Sequence, residues 1–180
     1  MARVRHPDSS VGYALIFPNR RDVGMANLGL DALYCILKNQ KGAEADFHFA
    51  DRPLGLLTSK KASGGDVIAF SLSFEGDYPA VVDFLLSEKI PPLSADRDEK
   101  HPLVIAGGIA ATLNPEPLAP FIDVFYLGEA ESSFGAFHDF IRENLGSRRA
   151  GFLRKLAIEN IPGVYVPSAC DPDGLKERVG

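Results

Sequence analysis

The sequence predicts an α/β fold: a flavodoxin-like, doubly wound parallel sheet of five strands in the order 2-1-3-4-5, layered α/β/α. Three observations predict it. Short apolar runs such as Tyr13-Ala14-Leu15-Ile16-Phe17 and Val67-Ile68-Ala69-Phe70-Ser71 read as strands covered on both faces. Between them lie segments whose apolar residues recur with the helical period. The strand–helix alternation then repeats along the chain, which calls for a parallel sheet with helices on both faces and right-handed crossovers. In such a sheet the switch point falls between the first and third strands, and ligands sit outside the carboxyl ends of the strands.

Each element has its own signal. The first strand, 13–17, is stopped by Pro18 and followed by a polar loop, 19–29. Leu30, Leu33, Tyr34 and Leu37 share one helical face, and Gly42 offers a stop. Residues 45–49 alternate as a second strand, broken by Arg52-Pro53. A short helix is expected over 54–61, with a turn at Ser63-Gly64-Gly65-Asp66. After the third strand, Asp77 is placed as a helix N-cap with Pro79 in the first turn, ahead of Tyr78, Val81, Val82 and Leu85. Residues 91–101 read as an exposed connection. The fourth strand, 103–106, closes on Gly107-Gly108, and a loop with Asn114-Pro115-Glu116-Pro117 follows. The fifth strand is 123–127. Phe134, Phe137, His138 and Ile141 mark the next helix, capped near Gly146, with His138 packed in its apolar face. A short helix over 152–159, an extended piece over 163–167 and a polar tail from 168 complete the chain. The domain therefore spans 1–167, and 168–180 reads as a tail or linker.

The totals exclude several classes. Of 180 residues, 46% are hydrophobic and 24% charged, an ordinary balance for a globular chain. The formal charge of -5 argues against a nucleic-acid surface spread over the whole domain. Cys35 and Cys170 form no framework, and the four histidines have no ligand-like spacing, so no metal site is expected within the chain. The start lacks the apolar region of a secretory signal, and no run is long enough to span a membrane. The cytoplasm is the expected compartment; the oligomeric state is left open.

Function is expected where the loops after strands one, three, four and five share one rim. They gather Asn19, Arg20, Asp22, Gly24, Met25 and Asn27, then Ser71, Ser73 and Glu75, then Gly107 and Gly108, then Gly128 and Glu129. Paired glycines let a ligand approach the backbone, hydroxyls both donate and accept, and a helix opening offers free N–H groups. Each feature also has an ordinary structural reading: a tight turn for the glycines, caps for the serines, helix-dipole complementarity for Glu129, core filling for Met25 and solvation for Arg20-Arg21. Only their convergence on one rim favours a site. The dinucleotide fingerprint, the Walker loop and the serine-hydrolase elbow are absent. That disfavours a freestanding nucleotide-binding or flavodoxin-type module, and no catalytic residue is assigned.

Four segments together carry a resemblance: Phe17-Pro18-Asn19-Arg20-Arg21-Asp22-Val23-Gly24-Met25-Ala26-Asn27-Leu28-Gly29; Asp66-Val67-Ile68-Ala69-Phe70-Ser71-Leu72-Ser73-Phe74-Glu75; Ala106-Gly107-Gly108 with Asn114 to Asp123; and Leu127-Gly128-Glu129-Ala130-Glu131. They resemble the N-terminal part of radical SAM iron–sulfur proteins, a domain similar to the cobalamin-binding Rossmann-like domain. The resemblance implies an accessory domain of a radical SAM Fe–S oxidoreductase. Its 4Fe–4S cluster and S-adenosylmethionine belong to a downstream radical SAM domain of the same chain. The Cys-x-x-x-Cys-x-x-Cys motif of that domain is not in these residues, and the polar tail reads as the way into it. The resemblance also implies cobalamin at the rim, with Ser71-Leu72-Ser73 and Gly107-Gly108 at the positions that line its nucleotide tail. The cobalt-ligating histidine of mutase-type domains has no counterpart after Asp22. Two readings follow: a corrinoid site without a protein lower ligand, or a domain that has lost its ligand and positions substrate or a partner domain.

Overall fold

The computed structural model describes residues 10–52 and 54–169. The readings made for the chain's start, for Pro53, for Cys170 and for most of the polar tail fall outside the described residues. The sheet has six strands in the order β2-β1-β3-β4-β5-β6. These are β1 (Val11–Phe17), β2 (Ala43–Phe49), β3 (Val67–Ser71), β4 (Leu103–Gly107), β5 (Val124–Tyr126) and β6 (Val164–Tyr165). The first five are parallel to their neighbours and keep the expected order. The expected five-stranded sheet is corrected by β6, which pairs antiparallel with β5, Phe125 opposite Tyr165 and Tyr126 opposite Val164. Two residues give no period to detect. The chain can reverse there because Asn160 and Gly163 take positive φ, 53° and 81°.

Strand alternation divides the core into two layers. Tyr13, Leu15, Phe17, Val67, Ala69, Ile105 and Tyr126 face one side, where α2 (Leu28–Lys38), α5 (Ala130–Asn144) and α6 (Arg149–Glu159) cover them. Ala14, Ile16, Ile68, Phe70, Val104 and Phe125 face the other side, under α3 (Tyr78–Ser87) and α4 (Ile109–Leu113). A one-turn helix, α1 (Arg21–Gly24), sits in the first loop. His138 is fully buried as expected. Tyr13 Oη lies 2.8 Å from its Nδ1, and its Nε2 lies 3.1 Å from the Lys41 carbonyl.

Three local expectations fail for identifiable reasons. Residues 54–61 form no helix. Leu54 bridges Lys61, and Gly55 N–H donates to the Lys60 carbonyl at 2.8 Å. The buried Asp46 carboxylate takes the Leu57 and Thr58 amides and the Thr58 hydroxyl, groups a helix would have used differently. Burial would raise the pKa of Asp46; the Thr58 hydroxyl and these amides outweigh it and hold the carboxyl below its usual range. The connection 91–101 is not simply exposed, because Arg97 turns inward to Asp123 with neither side chain accessible. The stretch after Gly108 is partly helical, giving α4 where a loop is expected.

Candidate functional site

The C-terminal edge of the sheet brings the predicted loops together. Asn27 is the hub. It caps α2, its Oδ1 accepting the Leu30 amide at 2.8 Å, as a short polar side chain does at an N-cap. Its Nδ2 donates to Ser73 Oγ at 2.8 Å, and Ser71 Oγ donates to its Oδ1 at 3.4 Å. The first loop is thereby tied to the exit of β3. The two serines do not cap the helix that follows them.

A groove opens beside this knot, between the first turns of α2 and α5. Its volume is about 190 Å³. Ala69, Ser71 and Gly107 form a floor of small residues; Leu33, Tyr126 and Phe134 give apolar walls; Gly128, Glu129 and Glu131 stand at the mouth. Gly107 is restricted by its neighbour strand, since a Cβ there would lie 3.1 Å from the Tyr126 carbonyl oxygen. Gly108 has φ of +97°, and a Cβ would meet the Leu72 carbonyl at 2.5 Å, so only glycine turns the chain here. Gly128 differs. Its φ is +95°, but nothing stands within 4 Å of a built Cβ, so its backbone is open to a ligand. Its N–H donates to Thr112 Oγ1 of α4 at 3.1 Å.

Not every predicted residue reaches the groove. Asn19 instead donates from Nδ2 to Asp77 Oδ1 at 3.2 Å, on the α3 side of the rim. Asp77 holds the N-cap position of α3 without a capping bond, and its Oδ2 is buried without a hydrogen-bond partner among the described residues. Arg20 and Asp22 pair with each other in solvent, 3.0 Å apart. Gly24 is a packing glycine: a Cβ would lie 2.6 Å from the Phe49 ring and 2.9 Å from that of Phe17. Glu75 accepts from Asn114 Nδ2 at 2.9 Å. Met25 is half-exposed rather than a core filler.

Met25, itself a predicted rim residue, joins an exposed apolar set that sequence reasoning missed. Val23 and Met25 from the first loop, Leu28 at the start of α2, Phe74 after β3, and Ile109 and Leu113 on α4 all expose large apolar side chains at this one edge. Leu28 is 83% and Phe74 68% accessible. Exposed apolar residues concentrated on one edge mark an interaction surface. The signal lay in apolar residues placed out of helical register, which the periodicity search passes over. Thr112, Asn114 and Asp77 were missed as rim residues for another reason: their roles depend on α4 and on contacts distant in sequence.

No group of three or more His, Cys, Asp or Glu side chains is placed to hold a metal among the described residues. His48, His101 and His138 are not among the groove's lining residues. No helix among the described residues is long and apolar enough to cross a membrane. Residues 29–167 match the model of a family described as radical SAM proteins, N-terminal. The match begins within α2, so β1 and the first loop lie before it. No curated protein and no solved structure matches the chain.

Proposed function

This chain belongs to the family of radical SAM proteins, N-terminal, and from that premise we propose that its C-terminal sheet edge is a corrinoid seat serving a downstream radical SAM domain. The observation that carries the reading is the groove between α2 and α5, with its floor of Ala69, Ser71 and Gly107. Ser71 and Gly107 are among the positions at which the family resemblance puts a nucleotide tail. Pockets that enclose a whole ligand run to roughly 300–1,000 Å³. At about 190 Å³ this groove suits one flat heteroaromatic base, with the rest of the ligand outside.

The residues fit the group in three ways. The apolar groove walls suit the base. Ser71 Oγ offers a polar contact in the groove, and the space beside Gly128 lets a ligand approach the backbone closely. The exposed collar of Met25, Leu28, Phe74 and Ile109 suits the face of a large planar ring. Among the described residues no histidine lines the groove, so the base and ring would be held there by apolar contact and hydrogen bonds. A bound corrinoid supplies radical chemistry, as do the iron–sulfur cluster and S-adenosylmethionine of radical SAM proteins. The residues here hold and orient; none of them moves a proton or forms a bond.

The test is gel filtration of the chain with hydroxocobalamin, read at the corrinoid absorption bands. Retained colour with a shifted spectrum is expected, and Ala32→Trp, at a partly exposed groove position, should abolish it while leaving the melting temperature in place. Absence of retained corrinoid at millimolar ligand would defeat the reading. A second reading is favoured by the Asn27–Ser71–Ser73 bonds, which already satisfy these side chains. On it, the edge is a docking face for the partner domain, and the collar is buried by protein instead of by a ring.

A further inference from the structure

A second concavity lies at the opposite edge of the sheet, where β4 and β5 begin. Its volume is about 520 Å³, within the range of small-molecule pockets. It is bounded by the turn at Ser94, by the segment ending at Ile122, by α6, and by the residues after β6. Three arginines line it, Arg97, Arg149 and Arg154, and no carboxylate does among the described lining residues. In a chain of net charge -5 that is a local reversal of sign.

The charge behind this wall is unbalanced. Arg97 Nη1 lies 3.1 Å from Asp123 Oδ2, and Arg149 Nη2 bonds the same oxygen. The Asp123 carboxylate also accepts the Ser94 hydroxyl at 2.5 Å and the Val104 amide at 2.7 Å. One buried carboxylate thus answers two guanidiniums. Backbone carbonyls take most of the remaining N–H groups: Pro92 and Phe121 for Arg97, and Asp98, His101 and Pro102 for Arg149. Carbonyl dipoles solvate a cation but do not cancel its charge. The Arg149 side chain is 10% exposed, and its buried Nε–H has no partner among the described residues. Burial pushes the Arg97 pKa down to about 10; Asp123 opposes this, and the like charge of Arg149 adds to it. An anion in the concavity would supply the missing negative charge, and a guanidinium fork recognises phosphate and carboxylate oxygens well.

We propose that this cavity binds a small molecule through an anionic oxygen group, phosphate or carboxylate, held on the Arg149 and Arg154 side. It is a site separate from the groove at the C-terminal edge and does not rest on the corrinoid reading. The probe is inorganic phosphate, titrated calorimetrically into the full chain at constant ionic strength. Saturable binding is expected. Arg154→Gln, at an exposed position, should weaken it by about tenfold or more, the loss of one charge-assisted contact. Arg154→Lys should retain most of it. Ala150→Phe, which fills the cavity from an exposed helix position without altering charge, should abolish it. No saturable heat, or equal affinity in wild type, Arg154→Gln and Ala150→Phe, overturns the proposal. The sequence carries Asp171 and Asp173 just after the last lining residue, Ala169. Phosphate binding seen only in an Asp171→Asn/Asp173→Asn chain would identify the chain's own carboxylates as the occupant and overturn the free-ligand proposal.

Discussion

Two arginine–aspartate pairs stand at opposite edges of one sheet. At the C-terminal edge Arg20 and Asp22 meet at 3.0 Å with 71% and 63% of their side chains exposed. At the N-terminal edge Arg97 and Asp123 meet at 3.1 Å with none exposed. The distances are alike and the consequences are not. In water the pair gains little and is screened. In the interior both charges have lost hydration, and removing either partner strands the other. The N-terminal edge is therefore where strands β4 and β5 are locked to α6 and to the preceding turn. The C-terminal edge is held by a few partly exposed hydrogen bonds, with no buried ion pair among the described residues, and leaves large apolar side chains in solvent. Stability is concentrated at one end, which leaves the other free to carry a ligand or a partner.

The largest test of this contrast is Asp123→Ala. It leaves two guanidiniums facing each other in the interior, and the expected loss is roughly 3–5 kcal/mol. Urea unfolding measures it as a lower midpoint at an unchanged slope. Against a typical domain stability of about 5–15 kcal/mol the variant stays measurable, with Asp123→Asn as the milder form should it not. A loss below about 1 kcal/mol would mean that the carbonyls alone satisfy both arginines, and the asymmetry between the edges would vanish.

That buried cluster also marks the limit of what the sequence conveys. The parallel strands are legible because each is a short apolar run covered on both faces, and Val67 to Ser71 needs nothing beyond its own residues. Right-handed crossovers favour a doubly wound sheet, and the flavodoxin-like order within that class gathers the rim residues. Arg97 was illegible because a proline-rich, charged stretch reads as solvent-exposed, and its partner Asp123 lies 26 residues away. At the rim, Gly108 was legible as a backbone requirement, whereas Gly24 reads as part of a helix opening and instead makes room for Phe17 and Phe49. Glycine signals the absence of a side chain; what fills the space is tertiary information. The two-residue strand β6 was legible as an extended piece over 163–167 but too short to show its pairing with β5, and α4 was lost because five residues give barely one turn.

A middle-sized effect probes the C-terminal edge itself. Asn27→Ala removes the cap of α2 and both links to β3, with an expected cost of about 1 kcal/mol, chiefly the cap. Asn27→Ser should recover most of that stability, because a serine hydroxyl can still accept the Leu30 amide. Its shorter side chain cannot also span to Ser73. If corrinoid retention is lost in both variants while only the alanine variant is destabilised, the Asn27–Ser73 link is shaping the groove rather than the fold. Equal destabilisation by both substitutions would make that link structural and bring the two edges closer in kind.

The smallest expected effect is the most discriminating for the pair comparison. Arg20→Ala removes one partner of the exposed pair, and the change in unfolding free energy should stay within about 0.5 kcal/mol. Whatever change is seen should shrink further in molar salt, where the screening length falls to about 3 Å, near the pair's own separation. The reason lies in the contacts. Among the described residues Arg20 Nε and Nη2 both reach only Asp22, two residues away in the same loop, so the bond closes no long-range loop. The loop is instead anchored through backbone: the Ala50 N–H donates to the Asn19 carbonyl at 2.9 Å, and the Arg21 N–H donates to Asp51 at 3.0 Å. A cost above about 1 kcal/mol would exceed what an exposed local pair supplies. It would mean that Arg20 and Asp22 hold the first loop in place, and that the C-terminal edge, too, is braced by charge.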